Sequence, residues 1–186
     1  ERRYGATVEL VTGSALFTLA PYLSEHVIGA EYCPLEGRIN PTLATPALWR
    51  AAVRAGARLW RGTELLALER ASGTYIAATS RTRIRCSRVV NAAGPWSGAI
   101  AQMAGFSIPV EGAILHMNVT EPAAPFLTHL VQHAGARLTA KQATNGNLLI
   151  GGGWPARGES ALGHIDVGRE SMERNLGIAQ SVIPDV

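Results

Sequence analysis

Apolar and polar positions along the chain follow two periods. Thr45 to Gly56 has the helical one: Ala47, Leu48, Ala51, Ala52 and Ala55 fall on one narrow face. Thr45 suits the N-cap, Pro46 the first helical position and Gly56 the residue just past the end. Such small residues predict close packing of this helix against a sheet. From Arg58 the period shortens. Arg58–Trp60 and Glu64–Glu69 read as strands, Ser72-Gly73 as a hairpin turn, and Thr74–Thr79 as the return strand. Arg81, Arg83 and Arg85 alternate with Thr82, Ile84 and Cys86, as on the wet face of a strand. Val89-Val90-Asn91-Ala92-Ala93 is a continuous run ending in Gly94-Pro95, the pattern of a strand buried on both faces of a parallel sheet. A helix from Trp96 or Ser97 to Met103, closed by Gly105, follows.

The flanking regions are plainer. Tyr4–Val11 reads as extended, and Ser14 as the cap of a short helix over Ala15–Leu19 that Pro21 stops. Val27–Cys33 is strand-like. In the second half, strands are expected within Val110–Thr120, Thr128–His133 and Arg137–Gln142, with Asn145-Gly146 as a hairpin turn. Leu148-Leu149-Ile150 then runs into Gly151-Gly152-Gly153, read as a strand leaving for a loop over 155–167. Gly168–Val182 predicts a last helix with Met172, Leu176 and Ala179 on one face. The fold class expected is α+β, a mixed α/β chain.

Composition narrows the class. The chain has 186 residues, 47% of them apolar and 17% charged, which describes a folded globule with a real core. No run has the length and apolarity of a membrane helix. The net charge is +3, and Lys141 is the only lysine among seventeen bases. The arginines are scattered and have no strip of interleaved aromatics, so a nucleic-acid partner is not expected. Cys33 and Cys86 form no CxxC pair and read as free, buried thiols, with a disulfide between them the unsupported alternative. His129, His133 and His164 lack metal-ligand spacing and read as surface residues, so no metal is expected. Ser14 and Ser97 have no G-x-S-x-G setting, so nucleophilic catalysis has no support.

The chemistry concentrates at Val89–Ser97. A strand running into small residues and then a helix lets a ligand approach the backbone, and the helix start favours an anion such as a pyrophosphate. On its own this is also what an ordinary strand-to-helix turn looks like. Its order relative to other segments is more specific. Upstream stand Glu36-Gly37-Arg38-Ile39-Asn40-Pro41, the helix after it, Gly56-Ala57-Arg58-Leu59 and Gly62–Leu68. Downstream stand Ile108–Gly112, Asn118–Pro122 and Asn145–Gly152. In this order, over about residues 20–155, the chain resembles the D-amino-acid-oxidase-like superfamily of FAD-dependent oxidoreductases, which includes glycine and sarcosine oxidases. Within it, the Glu36–Pro41 segment looks most like the branch of opine oxidase and hydrogen cyanide synthase subunits.

The resemblance implies an FAD enzyme that oxidises the C–N bond of an amino acid, secondary amine or opine. It implies that Leu65 meets the adenine side of the cofactor through its backbone, and that Ala92, Ala93, Gly94 and Trp96 line the cofactor. The strands of about 110–152 would hold the substrate, with His116 and Lys141 as polar candidates there. By the same resemblance residues 27–105 are part of an FAD-binding portion, Rossmann-like in type, and 106–165 most of a substrate sheet; 1–26 lead in and 166–186 form the terminal helix. The family's strand with G-x-G-x-x-G and a following acidic residue is missing from this sequence, since Gly151-Gly152-Gly153 is followed by Trp154-Pro155. The chain is therefore expected to be an internal portion of a longer cytoplasmic or membrane-peripheral enzyme, and by itself to be inactive and to bind FAD weakly or not at all. Assembly with copies of itself or with a different protein chain fits the same branch. A non-enzymatic binding or subunit-interaction module built on an oxidase scaffold is the rival reading.

Overall fold

The computed structural model describes residues 2–159 and 164–186. The chain divides into two compact units, one of residues 1–41 and 114–186, the other of residues 42–113. It is a mixed α/β chain, and every strand pair among the described residues is antiparallel.

The first unit begins with a single 3-10 turn, then β1 (Glu9–Thr12), α1 (Gly13–Leu19) and β2 (Gly29–Tyr32), with β1 paired to β2. Thr12, rather than Ser14, is the residue before α1, and no side chain caps that end. The short helix is anchored by Leu16, which is 1% exposed.

The second unit holds most of α2 (Pro41–Arg54), together with β3 (Leu65–Ala71), β4 (Thr74–Thr79), β5 (Arg83–Cys86) and α3 (Ser97–Met103). The helix α2 starts earlier than its sequence signals suggest. Pro41 rather than Pro46 takes the opening position, and Pro46 sits inside the helix, where its ring nitrogen forgoes one helical bond. Its C-terminus ends as the sequence predicts. Gly56, at φ +96°, is the left-handed residue of a Schellman motif in which Ala57 N–H donates to Ala52 O at 2.9 Å and Gly56 N–H to Val53 O at 3.0 Å. The predicted packing face is not buried: α2 has no buried residue, and Leu48 is 70% exposed.

In the sheet β3–β4–β5, Ser72 and Gly73 take φ of 48° and 78°, which makes a type I′ hairpin turn. Arg83 and Arg85 are exposed and Ile84 and Cys86 turn inward, as the alternation predicts. Two strand expectations fail here. Residues 57–60 are irregular, as is Val89–Ala93, and Val90 is 88% exposed. An apolar run becomes a strand only where another strand supplies ladder bonds, and no described strand lies beside this one. Cys33 and Cys86 are free and half-buried.

The chain returns to the first unit with β6 (Leu115–Pro122), β7 (Val131–Gln132), β8 (Thr139–Gln142) and β9 (Asn147–Pro155), ordered β6-β9-β8-β7. Gly146, at φ +90°, forms the predicted turn between β8 and β9. The strand β9 does not leave at the glycine triplet but runs through it to Pro155. The expected loop contains a hairpin of β10 (Arg157–Glu159) and β11 (His164–Asp166). The side chain of His164, expected at the surface, lies outside the described residues. The final helix α4 (Arg169–Val182) packs on one face of the four-stranded sheet. Its buried face is Asn175, Ala179 and Val182, rotated from the predicted one, and Met172 is 36% exposed. The core lies between α4 and this sheet, built on Tyr22, Leu127, Leu138, Ala140, Leu148 and Ile150.

Candidate functional site

Pleating gives the four-stranded sheet two different faces. Ala140, Gln142, Leu148 and Ile150 point toward α4 and are buried. Leu115, Met117 and Val119 of β6 point the other way and are 53%, 48% and 63% exposed. Register completes that open face in two cross-strand rows. One pairs Val119 with Leu149 and Leu149 with Lys141; the other pairs Gly151 with Thr139 and Thr139 with Gln132. Gly151 has no side chain, and a Cβ there would come within 3.2 Å of Met117 Cε and Thr139 Oγ1. The bare backbone floors a cleft of about 490 Å³, lined by Met117, Gln132, His133, Thr139 and the glycine triplet. Among the described residues, no Asp or Glu lines it.

The floor is held from behind. Asn175, fully buried, donates from Nδ2 to Gly151 O at 2.9 Å, and its Oδ1 accepts from Asn118 Nδ2 at 3.0 Å. Trp154 Nε1–H donates to Arg137 O at 2.7 Å, beneath Arg174 of α4. Gly152, at φ +127°, passes so close to the neighbouring strand that a Cβ would lie 2.4 Å from Arg137 C and Leu138 N. The glycine run is thus a crossing point of backbones, which explains a strand where an exit was expected.

His116 and Lys141 stand on β6 and β8, separated by β9 and on opposite faces of the sheet. Lys141 belongs to the open face. His116 turns toward α4, at the edge of the cleft, with Nε2 2.9 Å from Ser171 Oγ. The Ser171 hydroxyl donates to Pro155 O at 3.2 Å, so it accepts from His116 Nε2–H, which leaves His116 Nδ1 as an acceptor. That Nδ1 is buried with no partner, the one such side-chain atom among the described residues. Unmet buried acceptors cost stability and are kept where something else requires them.

The other predicted residues lie in the second unit. Ala92, Ala93, Gly94 and Trp96 form one turn, with Gly94 at φ +55° and Trp96 63% exposed. Asn91 organises it: its Oδ1 accepts from Ala93 N–H at 3.3 Å and its Nδ2 donates to Ser97 O at 2.9 Å. Leu65 opens β3 beside a bulge between it and Ala67. That strand packs against α3, which follows the 91–97 turn.

A second cleft of about 230 Å³ lies between β2 and residues 128–130. There the Tyr22 hydroxyl is 2.6 Å from His129 Nδ1, and burial pushes its pKa up, so it stays protonated and donates. His133, expected at the surface, is exposed and lines the first cleft, whereas His129, expected there too, is half-buried at the second; histidine spacing says nothing about which loop backbone a ring meets. No described group of acidic, His or Cys residues forms a metal site, and no described helix is long and apolar enough to cross a membrane.

The model of the FAD-dependent oxidoreductase family called DAO matches residues 1–186, and the chain belongs to that family. It is 29% identical to the beta chain of sarcosine oxidase from Rhizobium meliloti (strain 1021) over 160 residues, 81% of this chain and 38% of that protein. It is 31% identical to one of the subunits of opine oxidase from Agrobacterium tumefaciens (strain Ach5) over 132 residues, 69% of this chain and 33% of that protein. Glycine oxidase from Geobacillus kaustophilus superposes with a TM-score of 0.81 at 24% identity, over 99% of this chain and 48% of that one. The chain thus spans less than half the length of these relatives.

FAD is the cofactor of this family. The residues present suit a flat, largely apolar ring: the open face sets Leu115, Met117, Val119 and Leu149 around a backbone position bare of side chain.

Proposed function

We propose that the whole protein is an FAD-dependent oxidase or dehydrogenase acting on the C–N bond of a small amino acid, secondary amine or opine, and that this chain supplies its substrate sheet and part of its cofactor site. The observation that carries the reading is the open cleft over Gly151, with no acidic residue in its described lining, in a chain of this family. The names of the similar proteins support the substrate class: one belongs to a sarcosine oxidase, one to an opine oxidase and one is a glycine oxidase.

In this reading Leu65, Ala92, Ala93, Gly94 and Trp96 contact the cofactor, and His116 and Lys141 serve the substrate. Bound FAD would supply the redox chemistry, as the acceptor of a hydride from the carbon of the C–N bond. The chain's own share is binding and orientation. The Lys141 ammonium, on the open face, attracts the substrate carboxylate. The apolar row of Met117, Val119 and Leu149 keeps water from the reacting carbon. His116 holds the β6 edge of the cleft through Ser171 of α4.

Rapid mixing of the whole protein with glycine, sarcosine, D-amino acids and opines under anaerobic conditions tests this. One of these classes should bleach the flavin absorbance, and Lys141→Met should raise KM for it by about tenfold, the loss of one charge-assisted contact. A flavin that no amino acid or secondary amine reduces would sink the proposal. A second reading, a subunit-interaction surface, is favoured by α2, whose Leu43, Leu48 and Val53 are 68%, 70% and 42% exposed. The two are separated by the same flavin assay, because an interaction module has no flavin to reduce.

A further inference from the structure

We propose that His133 is a specificity-determining hydrogen-bond donor of the open-face cleft, offering its Nε2–H to a carboxylate oxygen of the ligand. This rests on the reading of that cleft as the substrate site and names the end of the substrate it recognises.

The neutral tautomer of the ring is set by its own loop. His133 Nδ1 accepts the backbone N–H of Gly135 at 2.9 Å and of Ala136 at 2.8 Å. A ring nitrogen that accepts carries no proton, so in the neutral imidazole the proton is on Nε2. Turning the ring over would set carbon against both N–H groups, so the orientation is fixed as well. The loop is closed behind the ring by His133 N–H donating to Leu138 O at 3.1 Å, and a Cβ on Gly135 would touch His133 Cε1 at 3.8 Å. The result is one donor in a determined direction, with no partner for Nε2–H among the described residues.

The surroundings choose the ligand. His133 lines the cleft together with Gln132 and Thr139, which add an amide and a hydroxyl, and among the described residues no acidic one shares the lining. Lys141 stands two residues beyond Thr139 on the same face of β8. The His133 donor and the nearby Lys141 cation suit an anionic oxygen, and the cation repels an ammonium group; the Gln132 amide and Thr139 hydroxyl can turn to either. The donor therefore orients the ligand, holding its carboxylate at the β7–β8 end of the cleft.

Two substitutions separate the donor from the loop cap. In His133→Asn, Oδ1 takes the place of Nδ1, so the cap is kept and the donor lost. In His133→Gln, the amide nitrogen reaches the Nε2 position, so the donor is kept and the cap lost. The chain labelled with 15N-histidine is titrated with sodium acetate, with methylammonium chloride as the control, and thermal unfolding is followed in parallel. Acetate, and not methylammonium, should shift the His133 Nε2 resonance. His133→Asn should weaken acetate binding by about tenfold, as for a hydrogen bond to a charged group, with an unchanged melting temperature. His133→Gln should bind acetate like the parent but melt lower. Equal acetate binding by the parent and His133→Asn would overturn the role of His133 and leave the cleft as a carboxylate site. A parent chain that does not respond to acetate would overturn this inference together with the reading of the cleft on which it rests.

Discussion

Gln142 offers the sharpest test of how the four-stranded sheet is held. Its side chain is buried at 3% exposure on β8 and staples the segment 123–127 to the sheet. Oε1 accepts from Phe126 N–H at 2.9 Å and Leu127 N–H at 3.1 Å. Nε2 faces the carbonyls of Ala123, Ala124 and Gly146 at 3.2, 3.0 and 3.0 Å. Gly146 O keeps a second donor, Ala123 N–H, and Ala123 and Ala124 are exposed enough for water to replace the amide. The unavoidable loss in Gln142→Ala is therefore the two N–H groups of Phe126 and of Leu127, a residue only 2% exposed. At about 1–3 kcal/mol for each stranded donor, the substitution should cost about 2–6 kcal/mol. That is a large share of the roughly 5–15 kcal/mol that holds a domain together, and a fall in melting temperature on the order of 10 °C. Gln142→Glu keeps the shape but sets an oxygen against three carbonyls. Its carboxyl should be raised above the unfolded value of about 4.3, so its folded form is least penalised when protonated. Sign follows from proton linkage: the variant's deficit should be small near pH 4 and grow as the pH rises toward 7. Urea unfolding at both pH values measures it. A loss below about 1 kcal/mol in Gln142→Ala, or a pH-independent deficit in Gln142→Glu, would refute the reasoning.

Two further outcomes follow from the packing around Gly152 and Tyr22. Gly152→Ala drives a Cβ into the backbone of Arg137 and Leu138, whereas Gly153→Ala meets nothing within 4 Å and bears only the left-handed φ of +78°. The first should lose at least about 3 kcal/mol or fail to fold and the second about 1–2 kcal/mol, by thermal unfolding; equal losses would contradict the crossing of strands at Gly152. The pKa of Tyr22 is raised from 10.0 by burial, so its contribution to stability is complete below about pH 10 and lost as pH climbs through the folded value. Tyr22→Phe should flatten the alkaline decline in urea midpoint, and an identical decline in both proteins between pH 8 and 11 would count against a buried neutral phenol.

Much of the local structure is legible from residues alone. The Ser72-Gly73 and Asn145-Gly146 turns, the Gly56 helix stop and the wet face of Arg83 and Arg85 all depend on backbone freedom or on alternation within one segment. What fails is anything needing a neighbour. The apolar run at Val89–Ala93 has the pattern of a strand, yet a strand exists only when another completes its ladder. The small-residue face of α2 has the pattern of a buried one, yet burial requires a surface to meet it.

The candidate site divides in the same way. Sequence order is enough to indicate the FAD-dependent family, because the spacing of turns, helices and strands is carried along the chain and needs no contact to be read. Which side of the sheet each residue faces is decided only in three dimensions. A one-residue shift in register turns every side chain to the other face. Sequence therefore groups His116 with Lys141, while the pairing of β6 with β9 and of β9 with β8 puts them on opposite faces. The tautomer of His133 and the bare floor at Gly151 come from a loop closing on itself and strands meeting across the fold, through distances that no linear pattern contains.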